Sequence, residues 1–375
     1  MSLANVITRI AIRVDASTTI GLGHLKRCLS LSEALLQCGL KVIFVCRSLG
    51  VDVRKLIARV GVELVELHSP RTNDFVAEKS QTKHASWACV SWELDVQETV
   101  AALRSWRPDW VLIDHYAFDA KWHNACLTEL KCRLAVVDDL GDRDLVADML
   151  IDHNYHISHE TKYEKRIPNG TVILGGPQYA LLGQTFGNAK RYQFAENVRS
   201  IGVFLGGGDP LNWTEKALYA CRNIVNFTGE IEVVVTSANL HRSSLAQIAR
   251  NDIGIRISMD LPALENFFAR HDLQIGAGGG AIWERCCIGA PTVGIVCAEN
   301  QLLSLPSLHA LGVVEMAGHE ERWRDVSSME IAKSVTKLIG APKLRRKLSE
   351  NGKDLVDGLG AMRVASWLVN AGVSA

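Results

Sequence analysis

Short apolar runs alternate along this chain with stretches whose apolar residues recur at helical spacing. The runs at 10–14, 41–46, 62–67, 110–113, 134–137, 149–151 and 171–174 read as strands. Between most of them lie helical patterns such as LKRCLSLSEALLQCG, which Gly39 stops. Strand–helix alternation predicts a parallel sheet with helices on both faces. The polar stretch 68–91 breaks the pattern and reads as a loop-rich insertion.

A second series begins after NAKRYQFAENVRS, with strands expected at 201–205, 232–236, 254–257, 273–275 and 292–296. It opens as the first does, with a strand, a glycine-rich turn and a helix. The expected fold class is therefore α/β, with two doubly wound Rossmann-type domains, 1–195 and 196–350. A helical segment, 351–375, packs back on the first domain. A ligand cleft is expected between the carboxyl ends of their strands, where open parallel sheets bind ligands.

Composition narrows the class. The chain has 375 residues, enough for two cores; 47% are hydrophobic and 22% charged, as in soluble enzymes. Formal net charge is +0, which gives no bulk attraction to nucleic acid or an anionic membrane. WVLID and LAVVDD are too short to span a bilayer, and Arg9 and Arg13 interrupt the opening apolar stretch where a signal peptide would need none. The 10 cysteines include no CxxC pair and read as reduced thiols, so a cytoplasmic monomer is expected.

Four clusters carry candidate chemistry. The first is the opening turn, with Asp15, Gly21, Gly23, His24 and Arg27. Its glycines would allow positive φ and close ligand approach. A histidine in a helix's first turn sits at the positive end of the macrodipole, which favours neutral imidazole, the form a general base needs. A capping turn with an incidental histidine explains the same spacing. The second is the set of polar strand tips in LIDHYAFD, VVDDLGDRD and LIDHNYH, which brings Asp114, His115, Tyr116, Asp138 and Asp139 to one rim. His153, His156 and His159 match no strong metal-ligand spacing, and no metal or cofactor is expected. The third is GGGDPLNWT, which includes Gly207. In the fourth, GAGGGAIWERCCIGAP, Gly278, Gly279, Gly280 and Ala281 lead into a helix, a natural diphosphate cradle, with Glu284 one turn on to hold ribose hydroxyls. Neither G-x-x-x-x-G-K-S/T nor a clean G-x-G-x-x-G is present.

In order along the chain, RVDASTTIGLGHLKRCLSLSEAL, DVQET, LIDHY, VVDDL, LGGPQYALL, FLGGGDPLNWT, GAGGGAIWERCCIGAP, ENQ and LVDGLGAMRV resemble the UDP-2,4-diacetamido-2,4,6-trideoxy-β-L-altropyranose hydrolases of pseudaminic acid biosynthesis. The second half also resembles the nucleotide-binding half of the lipid II glycosyltransferase. GGGDP differs from the GGSDP of the hydrolases by one glycine, and the segment after His68 matches only loosely.

The resemblance implies a GT-B-like fold and a metal-independent hydrolysis. Water attacks C1 of the UDP-sugar with inversion, and the free sugar feeds the making of flagellin or surface-polysaccharide decorations. It puts the base on His24 and sugar contacts on Asp15, Gly23, Arg27, Tyr116 and Asn300. UDP contacts fall on Gly207, Gly278, Gly279, Gly280, Ala281 and Glu284. Arg27 would pair with phosphate or orient the turn. The competing readings are a glycosyltransferase, a non-hydrolysing UDP-sugar epimerase kept open by Asp114 and Asp138, and a catalytically silent nucleotide-sugar-binding protein.

Overall fold

The computed structural model describes residues 8–69 and 82–373. Of the expected insertion, 70–81 lie outside the described residues, and Ala85–Ala88 forms a short 3-10 turn. The chain divides into two compact bodies: one holds everything up to Gln184 and again from Leu359 on, the other Thr185–Gly358. The first crossing thus falls ahead of residue 195, and the returning segment starts after 351.

The first body is built on a fully parallel sheet ordered β3-β2-β1-β4-β5-β6-β7. Its strands are β1 Arg9–Val14, β2 Lys41–Arg47, β3 Glu63–Leu67, β4 Trp110–Asp114, β5 Arg133–Val137, β6 Met149–Asp152 and β7 Val172–Gly175. Ile10, Ile12 and Val14 face one side, against Leu25, Cys28, Leu31 and Leu35 of α1 (Gly23–Gln37). The final helix, Gly360–Val373, covers the same side with Val364, Ala365 and Leu368. Ala11 faces the other side, against Val100 and Leu103 of the helix Trp92–Leu103 and Trp122 and Cys126 of the helix Ala120–Leu130. Burial on both faces is why these strands read as continuous apolar runs.

The second body repeats the plan, again all parallel, in the order β10-β9-β8-β11-β12-β13. Its strands are β8 Ser200–Phe204, β9 Glu230–Val235, β10 Ile255–Met259, β11 Leu273–Ala277, β12 Thr292–Ile295 and β13 Glu315–Met316. Ile201, Val203, Ile231, Val233 and Ile275 form its core with Trp213, Ile331 and Val335. All 10 cysteines are free thiols. No helix among the described residues is long and apolar enough to cross a membrane.

Candidate active site

A doubly wound sheet opens a crevice where neighbouring strands send their helices to opposite faces, which in the first body is between β1 and β4. The turn after β1 and the last residue of β4 meet there. Ser17 bridges to Gly21, whose N–H donates to the Ser17 carbonyl at 2.8 Å, and Gly21 takes φ +78°, a conformation that favours glycine. Gly23 opens α1 without positive φ, and a Cβ there would meet nothing within 4 Å.

His24 lies in the first turn of α1, and its Nδ1 stands 2.6 Å from Oδ1 of the fully buried Asp114 at the end of β4. Arg27, one turn further, grips both oxygens of the same carboxylate, Nε to Oδ2 at 2.6 Å and Nη2 to Oδ1 at 2.5 Å. The Cys28 thiol donates to Oδ2 at 3.3 Å. These donors, with the Arg27 charge foremost, overcome burial and hold Asp114 ionised far below the usual carboxylate range. An ionised Asp114 only accepts, so its contact calls for the hydrogen on Nδ1 of His24, which directs the lone pair of a neutral imidazole to Nε2; Arg27 Nη2 stands 3.1 Å from the same Nδ1. A carboxylate fixing an imidazole tautomer in this way is the arrangement of a general base.

Rings pack edge-on around the imidazole. Tyr116 lies 4.6 Å and Trp87 5.9 Å from it between centroids, at 79° and 87°. His84 in turn packs 4.6 Å from Trp87 and 5.6 Å from Tyr116. The Tyr116 hydroxyl donates to Asp139, which also accepts from Asn154 Nδ2 at 3.2 Å. Tyr116 is 2% exposed, so its hydroxyl is spent inside the protein and its ring is what bears on His24. Arg27 Nη1 reaches Asp139 and His153 Nε2, each at 3.5 Å.

Asp15 departs from the expected sugar contact. Its carboxylate is fully buried and saturated by Arg13 at 2.5 and 2.9 Å and by the Arg47 amide at 2.6 Å. Arg13 and Arg47 both continue to Asp95, at 2.6 and 2.8 Å. Glu98 at 2.7 Å from Arg47, His115 at 3.2 Å from Asp15 and Trp122 at 3.1 Å from Asp95 extend this buried network, which braces the ends of β1 and β2 beneath the turn. The histidines at 153, 156 and 159 do not converge, and no group of three His, Cys, Asp or Glu among the described residues is arranged to hold a metal ion.

The corresponding crevice of the second body lies between β8 and β11. After β8, Gly206 takes φ +94° and the Gly207 carbonyl accepts from Thr236 Oγ1 at 2.6 Å. Asp209 caps the helix Trp213–Tyr219, accepting from the amides of Trp213 at 2.8 Å and Thr214 at 2.9 Å. After β11 the chain turns through Gly278–Gly280 into the helix Ala281–Ile288. The Gly278 amide is already used, by the Ile295 carbonyl at 3.0 Å and Gln301 Oε1 at 3.1 Å. That narrows the expected cradle: the amides of Gly279, Gly280 and Ala281 have no partner among the described residues. Glu284 stands half-buried one turn on, and Asn300 is exposed in the 3-10 turn Glu299–Leu303. Its neighbour Gln301, which sequence reasoning passed over, also accepts from the Cys297 amide at 2.8 Å and so ties the ends of β11 and β12 together.

Two Rossmann-type bodies of this strand order define a GT-B-like fold. No family model matches the chain. It is 23% identical over 269 residues to the spore coat polysaccharide biosynthesis protein SpsG of Bacillus subtilis, covering 71% of this chain and 78% of that one. The solved structure of a putative UDP-N-acetylglucosamine 2-epimerase from Listeria monocytogenes superposes with TM-score 0.66 at 14% identity, over 98% of both chains. The glycotransferase of kitacinnamycin superposes with TM-score 0.65 at 17% identity, over 97% of this chain and 98% of that one. Nucleotide-sugar enzymes are thus among the proteins that share its fold.

Proposed function

We propose that the chain is a UDP-sugar enzyme of surface-polysaccharide assembly. It hydrolyses UDP-2,4-diacetamido-2,4,6-trideoxy-β-L-altropyranose at C1 with inversion, as the pseudaminic acid hydrolases do. The observation that carries this reading is the 2.6 Å contact between His24 and Asp114 at the β1–β4 switch point. Asp114 holds the Nδ1 hydrogen, and Nε2 takes a proton from water as the water oxygen bonds to C1. The C1–O bond breaks, its electron pair leaves on the β-phosphate, and UDP and the free L-altrose derivative result. In this reading the amides of Gly279, Gly280 and Ala281 hold the diphosphate, Glu284 the ribose, and Gly207 and Asn300 border the ligand. Arg27, already gripping Asp114, orients the base rather than binding phosphate. No step needs a metal or cofactor.

The SpsG likeness supports the polysaccharide setting, and the epimerase and glycotransferase that share the fold support nucleotide-sugar chemistry. The glycotransferase also favours a second reading, in which an acceptor hydroxyl replaces water as nucleophile, and the epimerase a third, in which the UDP-sugar is isomerised. Proton NMR of the protein with this UDP-sugar in ¹⁸O-water separates the three. Hydrolysis gives UDP, label on the sugar C1 and the opposite anomer first. Release of UDP only when an acceptor is added identifies a transferase, and an isomerised, intact UDP-sugar an epimerase.

A further inference from the structure

Beneath the glycine turn of the second body lies a buried charge with no ion-pair partner among the described residues. Arg285, in the helix Ala281–Ile288, is 1% exposed. Its Nη2 donates to the Ala277 carbonyl at 2.5 Å, at the point where β11 gives way to the turn. A Cβ on Gly276 would lie 2.4 Å from its Nη1, so the guanidinium rests directly against that strand end. Nε and Nη1 have no hydrogen-bond partner, and Arg285 makes no ion pair, among the described residues. Its one ring neighbour, Phe268, is 5.7 Å away.

Arg13 and Arg47 are just as buried, and each meets a carboxylate within 2.8 Å. Arg345, also fully buried, meets no carboxylate but donates to the carbonyls of Leu338, Ile339, Ala195 and Glu196, whereas Arg285 has a single carbonyl. Burying an unpaired charge costs several kcal/mol, because the Coulomb partner that would offset desolvation is missing. Burial draws the Arg285 guanidinium down to about 10, which still leaves it charged at neutral pH.

We propose that the missing partner is the diphosphate of the nucleotide, and that Arg285 is the charged floor of its binding site. From beneath the turn it attracts the two phosphates to the amides of Gly279, Gly280 and Ala281, and its bond to Ala277 fixes how the turn leaves β11. The low dielectric of its surroundings leaves this attraction little screened. The inference rests on the nucleotide-sugar reading and adds a positioning residue to it.

Calorimetry with UDP, inorganic pyrophosphate and uridine tests it on Arg285→Met and Arg285→Lys. Arg285→Met is expected to bind UDP and pyrophosphate roughly ten- to a hundredfold more weakly, with uridine unchanged. It should melt no lower than the parent without ligand, since an uncompensated buried charge has gone. Arg285→Lys, which keeps the charge, should recover most of the UDP and pyrophosphate affinity. Equal weakening of all three ligands, unchanged UDP affinity in Arg285→Met, or no recovery in Arg285→Lys would overturn the proposal. A parent protein that binds neither UDP nor pyrophosphate would instead overturn the nucleotide-sugar reading on which it rests.

Discussion

At the scale of the residue, the case for His24 turns on what stands behind it. A histidine at a helix start is common; one whose Nδ1 meets a buried carboxylate that is itself clamped by Arg27 and Cys28 is oriented as the proposed base requires. Asp114→Asn keeps the shape but offers an amide whose N–H can donate to Nδ1, which then keeps the lone pair while the hydrogen moves to Nε2 and blocks it as a base. The expected outcome is a loss of about 10²–10⁴ in kcat, with UDP affinity within about twofold, measured by UDP release and calorimetry. Equal kcat for the two proteins would remove Asp114 from the mechanism. His24 and Arg27 were legible because they share one turn of helix with the glycines. Asp114 showed only as a polar strand tip, since its partner lies 90 residues away. Trp87 and His84 gave no signal at all, because they fall in a segment whose polarity reads as a loop. The burial of Asp15 left no mark for the converse reason: its partners include Arg13, two residues back inside an apolar strand, where a charge is hard to recognise as a buried partner.

At the scale of elements, strand existence followed from burial on both faces, which makes each strand a plain apolar run. β13 escaped because Glu315–Met316 is only 2 residues long and pairs as an edge. The polar ends of these elements carry a pH dependence of their own. His123, in the helix Ala120–Leu130, is fully buried with Arg143 as its charged neighbour, and burial pushes it down to about 3. His153, just beyond β6, is held down to about 4 by burial and then by Arg27, against the opposing pull of Asp139 and Asp114. Each takes up a proton more readily in the unfolded chain, whose histidines titrate near 6.5. Stability is therefore full above about pH 6.5 and falls as the pH drops toward 4, by roughly 2 kcal/mol for each histidine at pH 5. The depressed carboxylates, such as Asp114, withdraw their support only at still lower pH. Urea midpoints at pH 7.5 and 5.0 check this: His123→Asn and His153→Gln should each flatten the difference, by roughly 2 kcal/mol. A parent protein equally stable at both values would contradict it.

At the scale of the whole molecule, the two-body plan was legible in the repeat of strand, glycine turn and helix, whereas the crossing points were not. The segment 185–195, expected in the first domain, is held in the second body. Arg191 donates to the Asp357 carbonyl at 2.9 Å, and Arg345 reaches the carbonyls of Ala195 at 3.2 Å and Glu196 at 2.5 Å. The helix Pro342–Leu355 belongs to the same body, with Leu348 in its core, so the chain returns to the first body only at Leu359. Such contacts join residues more than 100 positions apart and leave no local mark.

That plan puts the proposed base and the proposed diphosphate cradle in different bodies, and so makes their functions separable. The most direct measurement is the turnover of His24→Ala and His24→Asn on the UDP-sugar beside their UDP affinity by calorimetry. The account predicts a loss of at least about a thousandfold in kcat, with UDP affinity nearly unchanged. Variants that turn over at close to the parent rate would contradict it, whatever their affinity for UDP.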